Sequence, residues 1–152
     1  LTLIGTRFGN IEFDVLDTIT FADGLIGFPG ATEYIVLNSR EGSPFRWLQC
    51  TQEPGLAFLV TDPANYVATY APPVNDLTLQ SLNLTVGTPR LVFVTVNIPR
   101  GRPQDMTINL AGPLLINAEE RIGRQIVLED GAYTTRHRVF EKAGRVMENV
   151  AA

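Results

Sequence analysis

The residues able to do chemistry are few and scattered. The single histidine, His137, lies in Arg136-His137-Arg138, where neighbouring cations oppose its protonation, and it has no sequence-evident partner. It reads as a surface strand residue. The single cysteine, Cys50, closes the apolar run FRWLQC and reads as a small buried hydrophobe. One His and one Cys cannot supply the ligand set of a structural zinc site. Carboxylates such as Asp62 and Glu53 around Mg²⁺ or Ca²⁺ are the remaining enzyme-like arrangement, and they lack EF-hand spacing. No GxGxxG, GxxxxGK[ST] or GxSxG segment occurs. The expectation is a protein without catalytic residues, metal or cofactor.

Two glycine- and proline-marked segments read as framework. In GLIGFPG, residues 24–30, Gly24, Gly27 and Phe28 belong to tight turns, and no helix follows to receive a phosphate. TINLAGPLLIN, residues 107–117, is an apolar strand broken by Ala-Gly-Pro. Pro113 withholds an N–H, so the amides of Asn109 and Asn117 are expected to bond backbone groups left unpaired there, with Gly112 permitting a bend. Arg100-Gly101-Arg102 and Arg136-His137-Arg138 suggest a small anion-binding patch. They interleave little with aromatics, which argues against a platform for single-stranded nucleic acid.

The elements that must position these residues are mostly strands. Period-2 alternation marks Ile11–Val15 and Ile19–Phe21; aromatic or β-branched runs mark Tyr34–Leu37, Phe45–Thr51 and Leu56–Val60. Leu91–Ile98 reads as a buried strand, Gln125–Leu128 as the last strand, and Asp76 as the cap of a short helix. Phe140, Ala143, Val146, Met147 and Val150 repeat at helical steps, so residues 139–152 are expected to form a helical tail. Many short strands and few helices predict an all-β single domain, a small antiparallel β-barrel over residues 1–138.

Composition agrees with a soluble globular protein: 45% of residues are hydrophobic and 18% charged. No apolar run reaches the about 20 residues that span a bilayer. No basic-then-apolar leader opens the chain, and one cysteine allows no intrachain disulfide, so a cytoplasmic location is expected. The net charge of −4 opposes nonspecific approach to phosphate. That charge is uneven. Residues 1–89 hold three Arg against nine acids, whereas residues 90–152 hold nine basic residues against seven acids.

FGNIEFD, FADGLIGFPG, FRWLQC, LAFLVTDP, TINLAGPLLIN and RIGRQIVLEDGAYTTRH occur in the order characteristic of the FliW family, the flagellar assembly factors. The chain resembles that family over roughly residues 5–138. Ile108 and Gly112 replace alanines of the usual pattern, and Ala71 follows Tyr70 where an acidic residue is common. The resemblance implies a noncatalytic cytoplasmic protein that binds newly made flagellin. When flagellin is exported, the freed protein binds CsrA, a small RNA-binding dimer, and so couples flagellin synthesis to export. Flagellin is expected to lay an amphipathic helix on an apolar strip, with Phe8, Phe28 and Tyr66 as candidate lining residues. CsrA is expected to meet the acidic side: Glu12, Asp14, Asp17 and Asp23, with Asp76 beyond the Tyr66–Pro73 loop and Tyr70 as the loop's aromatic anchor. Strand alternation would place Glu12 and Asp14 together in solvent, opposite Ile11, Phe13 and Val15. The alternatives are a small RNA-binding β-barrel and, from another class, a carboxylate-dependent metal enzyme.

Overall fold

A computed structural model describes residues 1–129 and 131–140. It contains eleven strands and one α-helix among those residues. β1 (Thr2–Thr6) and β2 (Gly9–Glu12) form a separate antiparallel hairpin. β3 (Ile19–Phe21), β4 (Glu33–Asn38), β5 (Phe45–Cys50), β6 (Ala57–Thr61) and β7 (Arg90–Asn97) follow as a meander. β8 (Thr107–Ile108), β9 (Leu114–Asn117) and β10 (Ile122–Gln125) complete the barrel region, and β11 (His137–Arg138) pairs with β8. α1 is Asp76–Ser81.

Seven strands close in the order β7-β6-β5-β4-β3-β10-β9 and back to β7, a small β-barrel as expected. All neighbours run antiparallel except β10 and β3, which pair in parallel through Ile122 with Thr20 and Gly123 with Phe21. Closure removes free edges from those seven strands, the usual liability of an open sheet.

The barrel interior holds Ile19, Phe21, Tyr34, Leu48, Cys50, Val60, Phe93, Leu114 and Ile116. Successive strand side chains point to opposite faces, so Val94 and Leu115 must point outward beside Phe93 and Leu114. Each outward residue seeds a satellite core. Val94 joins Val67, Met106, Ile108, Leu110 and Val139 beneath partly buried Tyr66, Tyr70 and Tyr133. Leu115 joins Leu82 and Leu84 next to α1.

The helix ends where it does for a specific reason. Asn75, not the expected Asp76, is its cap and accepts the Thr78 N–H at 2.8 Å; Asp76 occupies the first turn. At the other end Asn83 adopts φ 53°, and the Leu84 and Asn83 N–H groups donate back to the Leu79 and Gln80 carbonyls. This paired return of bonds is a Schellman ending, with its usual apolar contact between Leu79 and Leu84.

Several expected boundaries shift. β2 stops at Glu12, and Asp14 caps a 3-10 turn over Val15–Asp17 by accepting the Leu16 N–H at 2.9 Å. Val15 is consequently 64% exposed and does not share an inward face with Ile11 and Phe13. The last barrel strand is Ile122–Gln125, three residues earlier than Gln125–Leu128, because Gly123 packs against Phe21 at the parallel junction. Any Cβ on Gly123 would lie 2.6 Å from the Phe21 ring. Val139 is buried in the satellite core and its N–H donates to the Met106 carbonyl at 3.3 Å, so no helix begins there. The helical tail expected beyond Phe140 falls on residues outside those described.

Candidate partner-binding surfaces

TINLAGPLLIN forms two strands, both paired to β7. Thr107 and Ile108 face Asn97 and Val96, yet Leu114 already faces Phe93. Residues 109–113 therefore lie against Val94 and Thr95 alone, three residues more than a regular ladder holds. That excess makes a large, irregular bulge. Its backbone groups are claimed from many directions. Asn109 N–H donates to the Thr95 carbonyl and Leu110 N–H to the Thr134 carbonyl, each at 3.0 Å. The Tyr70 hydroxyl donates to the Leu110 carbonyl at 2.6 Å, and the Gln125 amide to the Gly112 carbonyl at 3.0 Å. Leu128 and Ile126 N–H groups donate to the Ala111 and Pro113 carbonyls.

Asn109 acts within this bulge as expected, accepting the Ala111 N–H at 3.0 Å. Asn117 does something else. Its amide donates to the Leu82 carbonyl at 2.8 Å and its oxygen accepts the Glu119 and Glu120 N–H groups, which fastens the α1 ending to the β9–β10 turn. Gly112 has no left-handed φ; a Cβ there would lie 3.0 Å from both the Asn109 and Gln125 amide nitrogens, a tight fit that those side-chain ends would have to relieve. Gln125 also accepts the Ile26 N–H at 2.8 Å, so the bulge supports the GLIGFPG segment. There Gly24 and Gly27 have φ 66° and 86°, and Leu25 and Phe28 exchange backbone bonds in a tight turn. Phe28 rests edge-on against Phe58, 5.3 Å between centroids.

Tyr70 belongs to this framework as well. Besides its hydroxyl bond, its ring meets Tyr133 edge-on at 4.8 Å, and burial pushes its pKa well above the ordinary tyrosine value. Tyr66 packs against the same satellite core, with its pKa raised by burial. Of the expected flagellin-lining residues, Phe8 and Phe28 each touch a residue that lines an outward apolar groove, Trp47 and Phe58 respectively. The Phe8 ring lies 5.2 Å from Trp47, and the Arg7 guanidinium sits 4.4 Å above Trp47. This groove, about 450 Å³, is lined by Arg7, Trp47, Phe58, Leu59, Val96 and Ile98 together with Ala57 and Thr95. Sequence reasoning missed it. The available signal was that FRWLQC and AFLVT are apolar on both strand faces, which requires cover, or a partner, on both sides.

The acidic residues separate into two kinds. Glu12, Asp14 and Asp17 line one shallow hollow of about 560 Å³ with Leu1, Phe13 and Val15, and Leu16 beside them is 77% exposed. Glu12 accepts a hydroxyl bond from Thr2, and Asp17 offers its carbonyl to Arg121 at 2.7 Å. Asp23 instead forms an ion pair with Arg124 at 3.0 Å, and Asp76 lies apart on α1. The two arginine triplets do meet in space: Arg102 and Arg138 both reach Asp105 at 3.3 Å.

Among the described residues no three His, Cys, Asp or Glu side chains gather as a metal site. Asp62 caps the Pro63–Asn65 turn through the Ala64 N–H at 2.9 Å. His137 pairs across to Ile108 in β11, half-buried, and burial lowers its pKa. Cys50 is buried in the barrel core. No described helix is long and apolar enough to cross a membrane.

Fold and surface thus define a small closed β-barrel protein whose outer face carries an apolar groove and an acidic edge. Similarity narrows this further. A family model described as FliW protein matches residues 2–139. The flagellar assembly factor FliW of Magnetococcus marinus is 40% identical over 126 residues, 83% of this chain and 78% of its own. That of Leptospira biflexa is 37% identical over 141 residues, 93% and 92% of the two chains. A crystal structure of the flagellar assembly factor FliW superposes with a TM-score of 0.85 at 30% identity, covering 93% of this chain and 99% of that one. The chain belongs to the FliW family of flagellar assembly factors.

Proposed function

We propose that this protein acts without catalysis as a cytoplasmic partner-switching factor. It binds newly made flagellin, and once flagellin is exported it binds CsrA and frees the flagellin transcript. The observation that carries this reading is membership of the family along nearly the whole barrel, residues 2–139. The acidic edge supports its second half. Glu12, Asp14 and Asp17 surround exposed Val15 and Leu16, a combination that suits a basic protein surface with an apolar centre. Docked there, the acidic chain would repel RNA phosphates within about 8 Å at physiological salt.

The test is a pull-down from motile cells with mass spectrometry, followed by size-exclusion chromatography with purified flagellin and CsrA at micromolar concentration. Separate complexes with flagellin and with CsrA are expected. Failure of flagellin to shift the protein sinks the first half. Recovery of RNA without CsrA would favour the small RNA-binding barrel instead.

A further inference from the structure

The apolar groove adjoins a second hollow of about 320 Å³, and the two share Thr95 and Val96 as a common wall. The second is polar, lined by Asn97, Thr107, Asn109, Thr135 and Arg136. Together they make one surface with an apolar floor and a cation at each side. Among the described residues neither hollow is lined by a carboxylate, although the chain carries a net charge of −4. The cations at its sides are not engaged by carboxylates, unlike three other arginines of the described residues. Arg102 and Arg138 share Asp105, and Arg124 pairs with Asp23. Arg7 is held by the Trp47 ring, and Arg136 is exposed; among the described residues neither is in an ion pair.

We propose that this joined surface docks an acidic amphipathic segment of a partner protein. Its apolar side chains sit on Trp47, Leu59, Val96 and Ile98, and its carboxylates face Arg7 and Arg136. Charge complementarity selects this occupant. A basic segment would bring like charges onto both cations, whereas a neutral apolar one would leave both without counter-charge. The same logic assigns CsrA, with its basic surface, to the acidic edge and not here. The inference rests on the flagellin reading for its biological partner, and it specifies the chemistry of the flagellin segment that binds.

Trp47 is the only tryptophan, so its emission reports on the groove directly. The probes are two synthetic amphipathic peptides of about 18 residues, five helical turns, with the same leucine stripe and either Glu or Lys on the polar face. The expected result is that the Glu peptide shifts Trp47 emission and binds the full chain at least about tenfold more tightly than the Lys peptide. Joint reversal, Arg7→Glu with Arg136→Glu, should weaken it by about tenfold or more while the protein stays folded, the melting curve falling by only a few degrees for the lost Arg7 stacking on Trp47. Equal affinity for the two peptides, indifference to the reversal, or no binding up to about 1 mM would overturn the proposal.

Purified flagellin is run beside them. Flagellin bound equally by wild type and double reversal overturns the groove while leaving the flagellin reading intact. If wild type binds the Glu peptide through the arginines but ignores flagellin, the groove stands and the flagellin reading falls.

Discussion

In the bulge at 109–113, seven backbone groups that lie beside a disrupted ladder find partners from β7, two side-chain amides, a tyrosine hydroxyl and two other backbone segments. Along residues 12–17 the bonds are fewer, and the longest-range one is from Arg121 to the Asp17 carbonyl. Asp14 caps one turn, Glu12 meets one hydroxyl, and Val15 and Leu16 stand 64% and 77% exposed. The first region is saturated and inward; the second keeps charge and apolar area facing water. The difference teaches which residues to associate with folding and which with partners. Substitutions in the first should cost stability, and substitutions in the second should cost binding.

The largest effect is expected at the loop that the bulge supports. Gly24 has φ 66°, and a Cβ there would run into the Phe28 carbonyl and Pro29 backbone. Backbone cannot swing away as a side-chain end can. Gly24→Ala should cost about 3 kcal/mol or more, combining left-handed strain with overpacking, read as a large fall in the urea midpoint. A stability change under about 1 kcal/mol would show that the GLIGFPG turn is not rigidly held.

Asn117→Ala comes next. It strips the Leu82 carbonyl of a donor and the Glu119 and Glu120 N–H groups of an acceptor at a site only 1% exposed. A loss of about 1–3 kcal/mol is expected, chiefly from the buried Leu82 carbonyl left without its donor, since Glu119 and Glu120 are exposed. Hydrogen exchange should quicken first in α1, because the lost bond joins its ending to the barrel.

Tyr70 sharpens the comparison because sequence reasoning placed it among the contact residues. Its hydroxyl bond to Leu110 belongs to the saturated region, so Tyr70→Phe should cost about 1 kcal/mol and leave partner binding unchanged in the folded protein. Loss of CsrA binding without loss of stability would return Tyr70 to the contact surface. Burial also raises the pKa of Tyr70 and Tyr34 in the folded state. The unfolded chain therefore ionises first as pH rises past about 10. These groups lend stability that is complete below that pH and declines above it, and thermal melts at stepped alkaline pH would show the fall.

Much of the barrel was legible because its strands obey local rules. Tyr34–Leu37, Phe45–Thr51 and Leu56–Val60 announce themselves by composition and turns, and β4, β5 and β6 lie over them. What stayed hidden depends on distant partners. Nothing in the sequence near Gly123 shows that its missing Cβ is what admits the Phe21 ring at the parallel junction. Tyr70 finds its acceptor 40 residues away, and nothing near it in sequence points there. Asp14 was assigned to a strand because alternation cannot distinguish a side chain facing solvent from one capping a turn. The groove at Trp47 needs three strands and a hairpin loop in register before it exists.

The smallest effect on stability is expected at the acidic edge. Reversal of Glu12, Asp14 and Asp17 to Lys removes one cap and one exposed hydroxyl bond, so the total cost should stay near 1 kcal/mol, most of it from Asp14. The binding readout should move far more. If CsrA docks against this edge, three reversed charges turn attraction into repulsion, slowing association and weakening the complex most at low salt. Flagellin binding should persist, since Arg7, Trp47 and Ile98 line a different hollow. A single comparison then separates the possibilities. CsrA bound equally by wild type and triple reversal at both low and high salt would remove this edge from the mechanism. Val15→Ser with Leu16→Ser supplies the complementary arm: both side chains are exposed, so the fold should not change, and a loss of CsrA affinity that salt leaves unaltered would assign the apolar centre of the contact to that turn.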